Sequence, residues 1–410
     1  MVLYEVEGMQ MKFIDNISKK EYENFLKAND YSNFLQSYEW GEFCHIAKNK
    51  KPFYVGLVDD NKKLVCATLL IKTNLLMGFS YMYAPRGFIL DYNNKEILKI
   101  FTDELRKYMK KNKIIYITVD PAIEYHEIDN NAKKVDGGIN NYEIFDNFVN
   151  NGYKHKGFNL LYESNQPRFS FIIPFAKYKS FEDVVSNFNK SMRKNIDKAK
   201  GFGIEVEKGN KDDIKIFYEL ITKTGNRDDF HPYSQSYYEN FYEIFNKENK
   251  CEIFISYVYP KKVLAELNRL KEINRSKQNS IEKINKMIEK YEKLKEEKIP
   301  VNAHIIVLDN NHATALYAGN DAEYKDVYAN YLTYYEKMKY AFEKGAKDFD
   351  LFGVCGDPNT KFKNLAGIFE FKKQFGGNCV EYFGDFDLIN NKFLYNILPI
   401  LIKIYHKIRG

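Results

Sequence analysis

Two similar α+β units in tandem, the second carrying an inserted helical arm, are the architecture that the chain predicts. Three observations lead there. A meander of three strands, then a helix, then a further strand, occurs twice along the 410 residues. A stretch free of Gly and Pro, with apolar residues at helical spacing, interrupts the second copy. The chain is also rich in aromatics, 33 Tyr and 32 Phe against one Trp. Tyrosine covers apolar surface while keeping a polar tip, so such a composition suits large, partly wet grooves.

The first copy starts at Pro52 with PFYVGLV, turns through DDNKK, continues as LVCATLLIK and, after a short link, ends in FSYMYAPRG at Gly87. Ile97, Phe101, Leu105 and Tyr108 then line one face of a helix, and KIIYITVDP follows as a strand. The second copy reads CEIFISYVY from Cys251, then VNAHIIVL, the turn DNNH and ATALYAGN. Val327, Tyr331, Tyr335, Met338 and Phe342 recur at helical spacing, Gly345 closes that helix, and DFDLFGV is the last strand. These patterns place a first domain at residues 11–165 and a second at 166–390, with a C-terminal helix at 391–410 docking on the first domain.

The interruption spans residues 261–299. Leu264, Leu267, Leu270 and Ile273 form one narrow apolar stripe and Ile281, Ile284, Ile288 and Tyr291 another. Stripes this narrow read as a coiled-coil seam. The polar run from Asn274 to Ser280 predicts a reversal, hence an antiparallel helical hairpin grown out of a hairpin turn of the second copy. Residues 261–298 hold ten Lys and two Arg against seven Glu, which accounts for most of the chain's net +6.

Meander, helix and strand in this order match the acetyltransferase-like (GNAT-like) pattern, not a Rossmann unit, and neither G-x-G-x-x-G nor a P-loop occurs. The acyl-CoA pyrophosphate loop of that fold has only an imperfect counterpart, Lys198 to Gly203. The five cysteines are widely spaced and the seven histidines scattered, so no disulfide framework and no metal site is expected. The N-terminus lacks the form of a signal peptide, and no apolar run reaches the ~18 residues of a membrane span. A cytoplasmic protein is expected.

Four stretches carry a family resemblance. They are NFLQSYEWG at 33–41, KSMRKNI at 190–196, NRDDF at 226–230 leading to Tyr237 and Tyr238, and a closing set. The closing set comprises Leu316-Tyr317-Ala318-Gly319, Phe352-Gly353-Val354, FEFKKQFGG at 369–377 and YFGDF at 382–386. Together they resemble the Fem (FemABX) family of non-ribosomal peptidyltransferases, which extend peptidoglycan stem peptides from aminoacyl-tRNA. The resemblance implies an aminoacyltransferase that moves an amino acid from aminoacyl-tRNA to the side-chain amine of a peptidoglycan precursor. It favours lipid II over the nucleotide precursor UDP-MurNAc-pentapeptide as the acceptor. It implies no cofactor, since an ester-to-amide transfer runs downhill.

The same resemblance gives residues roles. Lys372 corresponds to the transition-state cation and Phe371 to its packing partner; Asp120 corresponds to a suspected acidic residue that accepts a proton from the attacking ammonium or orients it. Tyr317 corresponds to an aromatic residue lining the precursor groove, and Trp40 and Arg227 are further substrate-binding candidates; Arg193 and Lys194, on a helix start beside Ser191, are expected to hold a phosphate as charged donors near the positive end of the dipole. Lys277, Lys283, Lys286 and Lys290 of the arm are candidates for tRNA phosphates. The apolar, basic-ended tail from Phe393 to Arg409 suits peripheral contact with the inner face of the membrane. Two other readings are an acyl-CoA-dependent N-acyltransferase and a tRNA-binding protein without catalysis.

Overall fold

The computed structural model describes residues 4–6, 9–75 and 78–398. Among them the chain forms two compact units. The first comprises residues 1–170, 353–366 and 379–410, and the second 171–352 and 367–378.

The first stretch of chain runs β1 (Tyr4–Val6), β2 (Met9–Ile14), α1 (Lys19–Lys27), α2 (Tyr38–Lys48), β3 (Lys51–Val58), β4 (Leu64–Asn74), β5 (Ser80–Ala84), β6 (Ile89–Leu90), α3 (Lys95–Lys111), β7 (Ile114–Val119), α4 (Tyr142–Asn150) and β8 (Tyr153–His155). β3 and β4 are antiparallel about the expected DDNKK turn, in which Lys62 takes φ +62°. β5 follows antiparallel, and α3 carries the chain over to β7, which lies parallel to β5. The Asn94 side chain caps α3 by accepting from the Glu96 and Ile97 amides. The predicted α3 face is buried, with Ile97, Phe101, Leu105 and Tyr108 packed on Val55, Leu57, Leu70, Met82 and Ile117.

The remainder runs β9 (Phe169–Ile173), α5 (Phe181–Ser186), α6 (Lys190–Gly201), β10 (Glu205–Lys208), α7 (Ile214–Asp228), α8 (Gln235–Asn246), β11 (Cys251–Val258), α9 (Pro260–Ile273), α10 (Gln278–Glu292), β12 (Ile299–Asp309), β13 (His312–Asn320), α11 (Ala329–Glu343), β14 (Asp348–Val354), α12 (Lys363–Lys373), β15 (Asn378–Glu381) and β16 (Phe386–Ile389). One sheet has the order β1-β2-β3-β4-β5-β7-β16-β8, with β6 on β4, and the other β10-β11-β12-β13-β14-β9-β15. The second sheet repeats the logic of the first: an antiparallel meander β11-β12-β13, then α11, then β14 parallel to β13. The fold is thus α+β with two acetyltransferase-like sheets.

The arm leaves β11 and returns into β12, whose ends pair as Val258 with Ile299. Pro260 opens α9 at a position where its missing amide costs nothing. The reversal occupies residues 274–277, shorter than the expected 274–280. Val263, Leu267 and Tyr291 are buried at the arm's base, while Ile273 near its tip is 64% exposed.

Two expectations need correction. The second domain was expected to run to residue 390, yet β16 pairs with β7 and β8 in the first sheet, where Phe386 and Leu388 are fully buried. Strand order depends on pairing between residues far apart in sequence, which local pattern does not carry. The predicted face of α11 also differs: Leu332, Tyr334, Lys337, Met338 and Ala341 are buried, and Tyr331 and Tyr335 are half-buried. α11 packs on β11 and β12 on one side and on α6 on the other, so it buries more than one stripe.

Residues 392–398 are helical, and Tyr395 donates to Asp387 Oδ2 at 2.6 Å and meets the Tyr116 ring edge-on. The rest of the expected C-terminal helix, with the tail's basic end, lies outside the described residues. Among the described residues no helix is long and apolar enough to cross a membrane.

Candidate active site

In the second sheet β13 and β14 pair in parallel over just three residues, ending at Thr314 and Asp350. The carboxyl ends of parallel strands are where such sheets bind ligands. Immediately beyond that pairing, Lys372 Nζ donates to the Phe352 carbonyl at 3.0 Å. Phe352 sits at φ +63°, a conformation that a bulky aromatic adopts only under constraint, and its amide donates to Asp350 Oδ1 at 2.7 Å. Asp350 therefore fixes the carbonyl that holds Lys372. Burial lowers the Lys372 ammonium to about 8, and Asp350 opposes the shift.

Phe371 is seated among rings. Tyr334 lies 5.2 Å from it, and Tyr331 and Phe375 each 5.4 Å. The turn after α12 requires glycine at Gly376, which has φ +70° and where a Cβ would come within 2.3 Å of the Asn187 carbonyl oxygen. That explains the paired glycines closing the FEFKKQFGG stretch. Gly376→Ala should destabilise the second unit by roughly 1–3 kcal/mol, seen as a lower denaturation midpoint.

Sequence reasoning missed Lys337. It is fully buried in α11, its Nζ 3.0 Å from His304 Nδ1 and 3.5 Å over the Tyr334 ring. Burial, then the nearby Lys372 charge, holds the Lys337 amine well below its usual range, and burial does the same to the His304 imidazole. Lys337 reads as one surface lysine among many, and the one available signal is its place on a helix rich in aromatic and apolar residues.

The remaining candidates fall in several places. Tyr317 leaves β13 toward α8, its hydroxyl 3.0 Å from that of Tyr237, with Tyr238 and Phe241 around its ring. Its strand neighbour pairs with His304, so Tyr317 and His304 point to opposite faces of the sheet. Arg227, at the end of α7, grips both Asp228 oxygens at 2.9 and 2.7 Å and donates to Asn320 Oδ1 at 2.6 Å. Gly319 lets α7 approach β13, since a Cβ there would lie 2.4 Å from the Ile221 amide nitrogen. Tyr317 and Arg227 thus sit along one edge of β13. Arg193 and Lys194 are exposed on α6, and Lys277, Lys283 and Lys286 are exposed on the arm. Lys290 belongs elsewhere: it binds Asp326 at 2.8 Å and the Glu323 carbonyl, anchoring the arm's base beside the Tyr291–Asp326 hydrogen bond.

Asp120 and Trp40 lie in the first unit. Asp120 follows β7 directly and is 1% exposed. Its Oδ1 accepts from the Arg86 amide at 2.9 Å, and its Oδ2 is 3.8 Å from the Arg86 guanidinium. Burial raises its carboxyl to about 7 against the pull of Arg86, with the neighbouring Asp385 adding to the rise. Arg86 in turn donates to the Pro167 carbonyl at 2.7 Å and stacks 4.3 Å over the Tyr382 ring. Asp120 is therefore enclosed and holds the Arg86 turn. Trp40 is 7% exposed, edge-on to Phe34 and covered by Lys48 at 4.6 Å.

Among the described residues no group of three or more His, Cys, Asp or Glu is placed to hold a metal ion. The imperfect pyrophosphate loop, Lys198 to Gly203, lies at the C-terminal end of α6, where the helix dipole is negative, and not at a helix N-terminus that would bind phosphate.

The model of the FemAB family matches residues 17–293 and 265–403. The chain belongs to the FemAB family. A lipid II:glycine glycyltransferase of Staphylococcus haemolyticus is 30% identical, with 96% of this chain and 99% of the relative covered. The aminoacyltransferase FemA of Staphylococcus epidermidis is 27% identical over 96% of this chain and its own full length. The crystal structure of FemX superposes with a TM-score of 0.76 at 27% identity, covering 94% of this chain and 99% of FemX. The FemAB match extends across both units and the arm.

Proposed function

We propose that the chain transfers an aminoacyl group from aminoacyl-tRNA to the side-chain amine of a peptidoglycan precursor, with lipid II as the acceptor and the inner membrane face as the place of encounter. Relatives of nearly equal length carry names that specify lipid II and glycine. The observation that carries the reading is Lys372, a partly buried cation oriented by the Phe352 carbonyl at the carboxyl end of a parallel strand pair.

Such a cation suits the chemistry. A primary amine attacks the ester carbonyl, negative charge builds on the carbonyl oxygen, and collapse expels the ribose oxygen and leaves an amide. Each proton that the amine loses balances the one that the leaving oxygen gains. Lys372 stabilises the oxyanion as a donor positioned in advance. Phe371 and its ring neighbours exclude water from that donor. Asp120, through Arg86, fixes the corresponding turn of the first unit.

The donor decides between this reading and an acyl-CoA transferase. Purified protein with lipid II and either labelled glycyl-tRNA or labelled acetyl-CoA should label the acceptor from the RNA ester alone. Label from acetyl-CoA would reverse the assignment, and RNA binding without label transfer would point to a protein that binds tRNA without catalysis.

A further inference from the structure

Arg193 and Lys194, expected at a substrate-binding position, stand on an outer face of α6 whose other cations have no role yet. Met192, Ile196 and Ala199 form its buried side against α11. Lys190, Arg193, Lys194, Lys198 and Lys200 are exposed on the other side, with Asp197 the single acid of the helix. Among the described residues Lys190, Arg193, Lys194 and Lys200 join no ion pair. Lys198 and Lys200 lie 4.6 and 4.3 Å over the rings of Tyr328 and Tyr335, which steady them without neutralising them. Glu336 of α11 feels the charge of Lys200.

Three of the cations occupy the first turns of α6, and no acidic residue stands there. A helix N-terminus is the positive end of the dipole, so cations at that end oppose local stability and concentrate positive potential. Asn189 caps that end by accepting from the Ser191 amide, so the cations stand beside the cap with no acid in the first turn to offset them. The surface also begins at the candidate site. The Asn189 amide donates to the Gln374 carbonyl at 2.8 Å, and Ser191 Oγ donates to Gln374 Oε1 at 2.9 Å, two residues beyond Lys372. α11, on which α6 packs, supplies the Tyr331 and Tyr334 rings that seat Phe371.

The arm differs. Lys262 pairs with Glu205, Arg269 with Glu266, Arg275 with Glu272, Lys290 with Asp326 and Lys298 with Glu207. Five of its twelve cations are met by carboxylates, whereas Lys277, Lys283 and Lys286 are exposed near its tip, away from Lys290 at its base.

We propose that the exposed face of α6 is the surface along which the phosphates of the RNA donor lie, leading its esterified end to Lys372. The inference rests on the reading of an RNA ester as donor. Binding of phosphates by these cations releases condensed counterions, so it carries a salt dependence that scales with the cations engaged.

The test uses the full chain and a CCA-ended RNA hairpin of the acceptor-stem type, titrated between 50 and 200 mM salt. Arg193→Gln with Lys194→Gln should lower the slope of log affinity against log salt by about two and weaken binding roughly tenfold. Lys190→Gln with Lys200→Gln should act in the same direction, while Lys277→Gln with Lys283→Gln and Lys286→Gln should lose less. An unchanged slope in both α6 variants, with wild-type RNA affinity intact, overturns the α6 assignment alone. Absence of RNA binding by the wild-type chain overturns the donor reading itself. Binding to phosphatidylglycerol vesicles that depends on α6, with RNA binding indifferent to it, also overturns the assignment by making the surface a membrane contact.

Discussion

Lys372→Met should lower kcat by roughly 10²–10³, the usual effect of removing one preorganised donor from an oxyanion. Methionine keeps the length and packing of the side chain beside Phe371 but removes the cation. KM for the acceptor should change little, because the interaction is strongest in the transition state. The pH profile supplies a second signature. The Lys372 ammonium titrates at about 8, so its charge is present below that pH and lost above it. The attacking amine works in the opposite sense, since it must lose its proton before attack. Activity should therefore rise with pH, reach a maximum near 8 and fall beyond it. Lys372→Arg, whose guanidinium stays charged, should remove the alkaline fall in whatever activity it retains. Near-normal kcat in Lys372→Met would refute the role.

Lys337→Met should make the protein more stable, on the order of 1–3 kcal/mol at neutral pH. A buried amine with no carboxylate beside it costs folding free energy whenever the unfolded chain would carry it protonated. The folded amine lies well below the ordinary lysine value, so between those two values the unfolded state binds the extra proton. Stability of the wild-type chain then rises with pH in that window, and the cost shrinks as pH approaches the unfolded lysine value. The advantage of the methionine variant should accordingly grow as pH is lowered from the ordinary lysine value toward the depressed folded one, measured by thermal or urea denaturation at each pH. Destabilisation at every pH would show that the His304 and Tyr334 contacts outweigh the burial of the amine.

Much of this was legible before any coordinates. The helix face of Ile97, Phe101, Leu105 and Tyr108 and the hairpin arm follow from spacing, because periodicity reports local geometry directly. The residues that surround Lys372 were visible only as a motif. What failed depends on partners distant in sequence. β16 joins the first sheet because Phe386 and Leu388 find their cross-strand neighbours on β7. Lys337 is buried because α11 is covered on two sides, and Lys290 is an anchor because Asp326 comes to meet it. Asp120 was legible as an acid at a strand end, but not its enclosure by the Arg86 amide and guanidinium. In each case the residue type was plain and its environment was not.

The measurement closest to the central claim is tandem mass spectrometry of the stem peptide after incubation with lipid II and glycyl-tRNA. The expected result is a mass gain of one or more aminoacyl residues joined by an amide at the side-chain amine, slowed by roughly 10²–10³ in Lys372→Met. No mass gain with any aminoacyl-tRNA, or a gain at another position of the precursor, would contradict it.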